Sequence, residues 1–150
     1  MVNVVDLALV AVVAILLLLS VILPWVSVDG STSAGSTTIR TSVSGSDTGT
    51  SLVFAIIALI SAVAAIVFLV APLKLAPRVS NTWVASLLVI AAICGGISVL
   101  VANSEINDDN SVASKFSFSE KRDIGFYLEI AGTSLALIVG IYKYSTLSKK

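Results

Sequence analysis

Histidine is absent from the chain, and cysteine occurs once, at Cys94. The first absence removes the commonest general base and the commonest metal-binding imidazole. The second excludes an intramolecular disulfide and any all-thiolate cage for zinc or an iron–sulfur cluster. Charge is scarce as well. Only 12% of residues carry it and the formal net charge is zero, so no basic surface exists to attract nucleic acid. No nucleophile stands at a useful spacing from a base. Ser134 lies five residues, and so about 140° of helix, from Glu129. The acids Glu105, Asp108 and Asp109 fall in NSEINDDN, which lacks the alternating acids, central glycine and distal glutamate of a calcium loop and reads as a solvated turn. The expectation is a protein with no catalytic residues, no cofactor and no metal.

What the chain has instead is four long apolar runs, each about the length a helix needs to cross a hydrocarbon core. They predict spans at about 4–26, 51–72, 83–102 and 124–144, with outer loops at 27–50 and 103–123 and an inner turn at 73–82. The fold class is therefore an all-α membrane protein, a single-domain four-transmembrane-helix bundle over residues 1–150. Trp25, Trp83, Tyr127 and Tyr142 fall near span ends, where amphipathic rings anchor at the membrane–water interface. Pro24 closes the first span, and Pro72 and Pro77 flank the turn that folds spans two and three into an antiparallel hairpin. The first run lacks a basic leader segment and is too long for a typical signal peptide, so it is expected to stay as a span.

Orientation follows from Lys and Arg. Lys74 and Arg78 in the turn, with Lys143, Lys149 and Lys150 in the tail, are unmixed with acids, which predicts N-in and C-in in the cell membrane. Arg40, Lys115, Lys121 and Arg122 are spread over the two long outer loops.

Those outer loops carry short alternating patterns. In TTIRTSVSG, Ile39, Thr41 and Val43 share one face while Arg40 and Ser42 share the other, the period of a half-exposed strand. Val26 to Val28, before Asp29-Gly30, offer a hairpin partner. In the second loop Lys115 to Ser119 alternates likewise and sets Phe116 and Phe118 on one face. Together they predict a small extracellular β-sheet built from both loops.

Four spans, Leu23-Pro24-Trp25-Val26 at the outer end of the first, a strand-bearing first outer loop and a shorter second one resemble the claudin and peripheral-myelin-protein tetraspan architecture. That family's Gly-Leu-Trp motif and paired cysteines do not occur between Ser27 and Thr50, so its barrier-forming function is not implied. The chain is also similar to small uncharacterised four-span proteins of bacteria and archaea with a Pro-Trp after span one and Gly-Phe-Tyr-Leu, here Gly125 to Leu128, opening span four. That likeness implies a plan and no activity.

The sharpest local pattern is in span four, where Gly132, Ala136 and Gly140 recur every four residues as a smooth stripe. Gly125, Glu129 and Thr133 fall on the same face, so Glu129 should point into protein. A carboxyl group at that depth is a buried hydrogen bond holding span four to a neighbour, a proton or cation site, or a subunit contact. Lys121 or Arg122 is in range to pair with it. Ala92 and Gly96 form a second small-residue stripe in span three, with Ala91 and Gly95 beside it, so spans three and four should be neighbours or face another subunit. Cys94 reads as a packing residue and Asp6 as a helix-start acid favoured by the macrodipole. The function that fits is a non-catalytic structural or accessory membrane protein. It would meet the lipid bilayer, itself or other membrane subunits, and an extracellular surface partner, but no nucleic acid. The alternative is an oligomeric channel or transporter using Glu129.

Overall fold

A computed structural model of the chain describes residues 4–31, 38–44, 49–70, 77–113 and 118–147. In chain order these form α1 (Val4–Ile22), β1 (Pro24–Ser31), β2 (Thr38–Ser44), α2 (Gly49–Val70), α3 (Pro77–Ala113), β3 (Phe118–Arg122) and α4 (Ile124–Leu147). Each helix contains a stretch long and apolar enough to cross a membrane, in α3 the part Ser80–Ser104. The chain is a multi-pass, four-span bundle.

The arrangement of side chains suits lipid rather than water. On α2 the residues turned inward are Ser51, Ala55, Ala58, Ala62 and Ala65, while Ile56, Ile57, Ile60, Val63 and Val67 face outward. Exposed isoleucine and valine would be costly in water but match acyl chains, and inward alanines let helix backbones approach where burial of apolar surface gives no drive. The inward positions 51, 55, 58, 62, 65 and 69 alternate steps of four and three, the spacing of a left-handed helical seam. On α1, Val10, Val13, Leu17 and Ser20 repeat that spacing, as do Glu129, Gly132, Ala136, Val139 and Lys143 on α4.

Helices adjacent in sequence pack side by side, and α4 closes the ring against α1. Specific contacts fix the directions. The Ser98 hydroxyl of α3 donates to the Ser51 carbonyl of α2 at 2.8 Å, and Ser80 donates to the Phe68 carbonyl at 3.1 Å, so α2 and α3 are antiparallel. Phe68 and Trp83 stack beside the latter contact with centroids 6.2 Å apart. A three-stranded antiparallel sheet, in the order β2-β1-β3, sits at the end of the bundle where α1 finishes and α4 begins. β1 pairs Val26 with Val43 and Val28 with Thr41 on one side, and Val26 with Arg122 and Val28 with Glu120 on the other.

Several boundaries differ from the sequence expectation. α1 stops at Ile22, not 26, because Pro24 cannot supply the next helical amide and instead opens β1. α3 starts at Pro77, inside the turn expected at 73–82, with proline at the first helical position, where its missing amide hydrogen costs nothing. It then continues to Ala113, so the first half of the loop expected at 103–123 is helical. The strand from that loop is Phe118–Arg122, later than the alternation at Lys115 to Ser119, of which 115–117 lie outside the described residues. Gly49 opens α2 with φ of 50°, a left-handed conformation that costs glycine little.

Candidate functional site

Trp25 shows how the sheet is fastened to the bundle. The β1–β2 register slips between Pro24 and Val26, leaving Trp25 as the unpaired bulge residue, and a bulge redirects a side chain. The sequence names Trp25 as an interface anchor near the outer end of the first span. The structure buries it fully, with Val26, Ala55, Ala102 and Phe126 around it, and its ring meets that of Phe126 edge-on at 6.1 Å. Its indole N–H donates to the Ser20 carbonyl, so a polar tip that would otherwise seek the interface is satisfied inside. Trp83, Tyr127 and Tyr142 are each more than half exposed on the bundle surface.

The start of α4 locks onto the same segment. Asp123 stands at the N-cap, its carboxylate accepting from the Ile124 amide at 2.7 Å, while its own amide donates to the Trp25 carbonyl at 2.7 Å. Gly125 lies so close to this segment that a Cβ would come within 2.8 Å of the Leu23 and Pro24 carbonyl oxygens and the Trp25 ring. Arg122 donates to the Asn103 side-chain oxygen of α3 and lies over the Phe126 ring, 5.7 Å from its centroid.

One turn below, Glu129 is wholly buried. Its partner is not Lys121 or Arg122 but Ser20 of α1, whose hydroxyl meets Glu129 Oε2 and also lies 2.7 Å from the Leu17 carbonyl. Glu129 Oε1 and Thr133 Oγ1 are buried without a hydrogen-bond partner among the described residues. Both face Gly95 of α3. A Cβ on Gly95 would overlap Thr133 Oγ1 and lie 3.1 Å from Glu129 Oε1. Glycine at 95 therefore admits this polar node between α1, α3 and α4.

The stripes resolve into separate contacts within the chain. Gly132 rests on Leu16 and Leu17 of α1, Gly140 on Leu88 and Val89 of α3, and Ala136 and Ala92 are buried in the aliphatic core. Gly96, expected to pack, has nothing within 4 Å of where its Cβ would be. The packed glycine is its neighbour Gly95, one helical step of 100° away. Cys94 is partly buried against the aliphatic core.

The opposite end of the α1–α4 seam holds an ion pair between Asp6 and Lys143, both largely shielded. Ser20 follows Asp6 by fourteen residues and Glu129 precedes Lys143 by fourteen, a separation of about 21 Å on both helices. The two antiparallel helices thus carry matched polar contacts at both ends with Leu17 on Gly132 between them. Asp6 is a partner across the bundle and not merely a helix-start acid. Among the described residues no three His, Cys, Asp or Glu side chains gather in one place. No protein-family model matches the chain, and no curated protein matches its sequence.

Proposed function

We propose that the chain is a non-catalytic structural or accessory protein of the cell membrane, oriented N-in and C-in, whose bundle is a rigid mount for an outward-facing sheet. The observation that carries this reading is the seating of the sheet. Trp25, Asp123 and Gly125 fix the β1–β3 pair directly to the bundle, a rigidity that suits presentation to another molecule. The small-residue stripes are used inside the chain, at Gly95, Gly132 and Gly140. Lateral assembly with a second copy or another subunit then falls to the lipid-facing side, where Gly96 leaves an opening on α3. The orientation is supported by Arg78, in the first turn of α3 at the bundle end remote from the sheet, and by the basic residues Lys74, Lys149 and Lys150, which stand in the sequence without acids beside them. The tetraspan resemblance agrees with this plan.

Two measurements test it. A cysteine placed at Arg40 in a Cys94→Ser background should react with an impermeant maleimide from outside intact cells; labelling only after lysis would reverse the orientation. The particle extracted in mild detergent should be a stoichiometric assembly whose mass falls when Gly96 is changed to Leu. A lone monomer in both cases would remove the accessory role.

A further inference from the structure

We propose that Glu129, Ser20 and Thr133 form a binding site for one monovalent cation, either a proton or an alkali metal ion, enclosed between α1, α3 and α4. The donor count motivates it. Ser20 has one hydroxyl hydrogen and two acceptors before it, the Leu17 carbonyl and Glu129 Oε2. An ionised Glu129 would share that single hydrogen with Leu17, and its second oxygen would have none. A cation at the carboxyl group removes the conflict. A proton on Oε2 donates to Ser20 Oγ, leaving the Ser20 hydrogen for Leu17. An alkali ion takes the carboxylate, Ser20 Oγ and Thr133 Oγ1 as oxygen ligands, the kind a hard cation prefers.

The charge must be single and must come from outside the chain's described side chains. On α1 the only ionisable group is Asp6, fourteen residues away and paired with Lys143. α2 has none, and α3 has none between Ser80 and Ser104 except Cys94, which packs on aliphatic neighbours. On α4 the one other charged residue is Lys143, and Arg122 of β3 engages Asn103 and Phe126. One carboxyl group with no countercharge is neutralised by one positive charge, and a divalent ion would leave an excess. The unpartnered Thr133 hydroxyl is the second mark of a site, since a purely structural contact would have no reason to leave two buried oxygens facing one glycine.

Trp25 donates to the backbone carbonyl of Ser20, the residue whose hydroxyl lines the site, so the sheet's own anchor reports occupancy. With Trp83→Phe, Trp25 is the single tryptophan. In mild detergent, its fluorescence is followed while Na⁺ replaces a large organic cation at fixed ionic strength, and separately while pH is varied, alongside the infrared C=O stretch of a protonated carboxyl group. A saturable one-site response to Na⁺, about tenfold weaker in Thr133→Val and absent in Glu129→Gln, supports the alkali-ion form. A carboxylic-acid band at neutral pH that disappears in Glu129→Gln, with a one-proton change in Trp25 emission, supports the proton form. The wild-type measurements decide even if Glu129→Gln fails to fold. No carboxylic-acid band at neutral pH together with no Na⁺ response overturns the proposal.

Discussion

The α1–α4 and α2–α3 seams join antiparallel helices over similar lengths by different chemistry. α2 and α3 meet through alanines, with a serine hydroxyl on a backbone carbonyl near each end, Ser98 on Ser51 and Ser80 on Phe68. α1 and α4 meet through Leu17 on Gly132, with a carboxyl group at each end, Glu129 with Ser20 and Asp6 with Lys143. The connection offers a physical reason. Six residues separate α2 from α3, so the chain itself brings them together and neutral contacts suffice to set their register. α1 and α4 are the first and last helices. No short connection joins them; the β1–β3 pair holds one end, and along the rest of the seam, where lipid supplies no hydrophobic drive, groups that are costly to leave unpaired set the register.

The largest effect should come where α4 meets the chain leaving α1. Gly125→Val would drive side-chain atoms into two backbone carbonyls and the Trp25 ring, and should cost about 3 kcal/mol or more, visible as loss of the Trp25 near-ultraviolet dichroism. Lys143→Met leaves the Asp6 carboxylate shielded and unpaired. It should lower thermal stability in detergent by about 2–3 kcal/mol, and a change below the error of the unfolding curve would show the ion pair to be idle. On the other seam, Ser98→Ala removes a neutral bond and should cost about 1 kcal/mol in the same assay; a loss equal to that of Lys143→Met would erase the contrast between the seams. Gly96→Ala is the control. With open space at its Cβ and a better helix former in place, it should change monomer stability by less than about 1 kcal/mol, in the stabilising direction.

The number of spans was legible because apolar runs of membrane length with almost no charge have few alternative readings. The inward face of α4 was legible from Glu129, Gly132, Ala136 and Gly140. Partners were harder. Small-residue spacing does not say which of two adjacent stripes meets a neighbour, and Gly95 and Gly96 differ by one residue and 100°. The end of α3 was obscured because its polar last turns, from Glu105 onward, resemble loop in composition although they are helical. The burial of Trp25 was not legible because amphipathic rings favour interfaces, and the β-bulge that turns this one inward leaves no mark in the sequence. One signal was present and unused. Asp6 and Lys143 are the sole ion-pairing candidates on α1 and α4, and the fourteen-residue steps to Ser20 and Glu129 return to nearly the same helix face.

The most direct test of matched polar contacts on the α1–α4 seam is a double-mutant cycle on Asp6 and Lys143, using Asp6→Leu and Lys143→Leu, with stability read from thermal unfolding in detergent. The account predicts that each single change costs more than the double, with a coupling of about 2 kcal/mol. Additive losses would contradict it, since the two residues would then act independently and the seam would have no charged lock at that end.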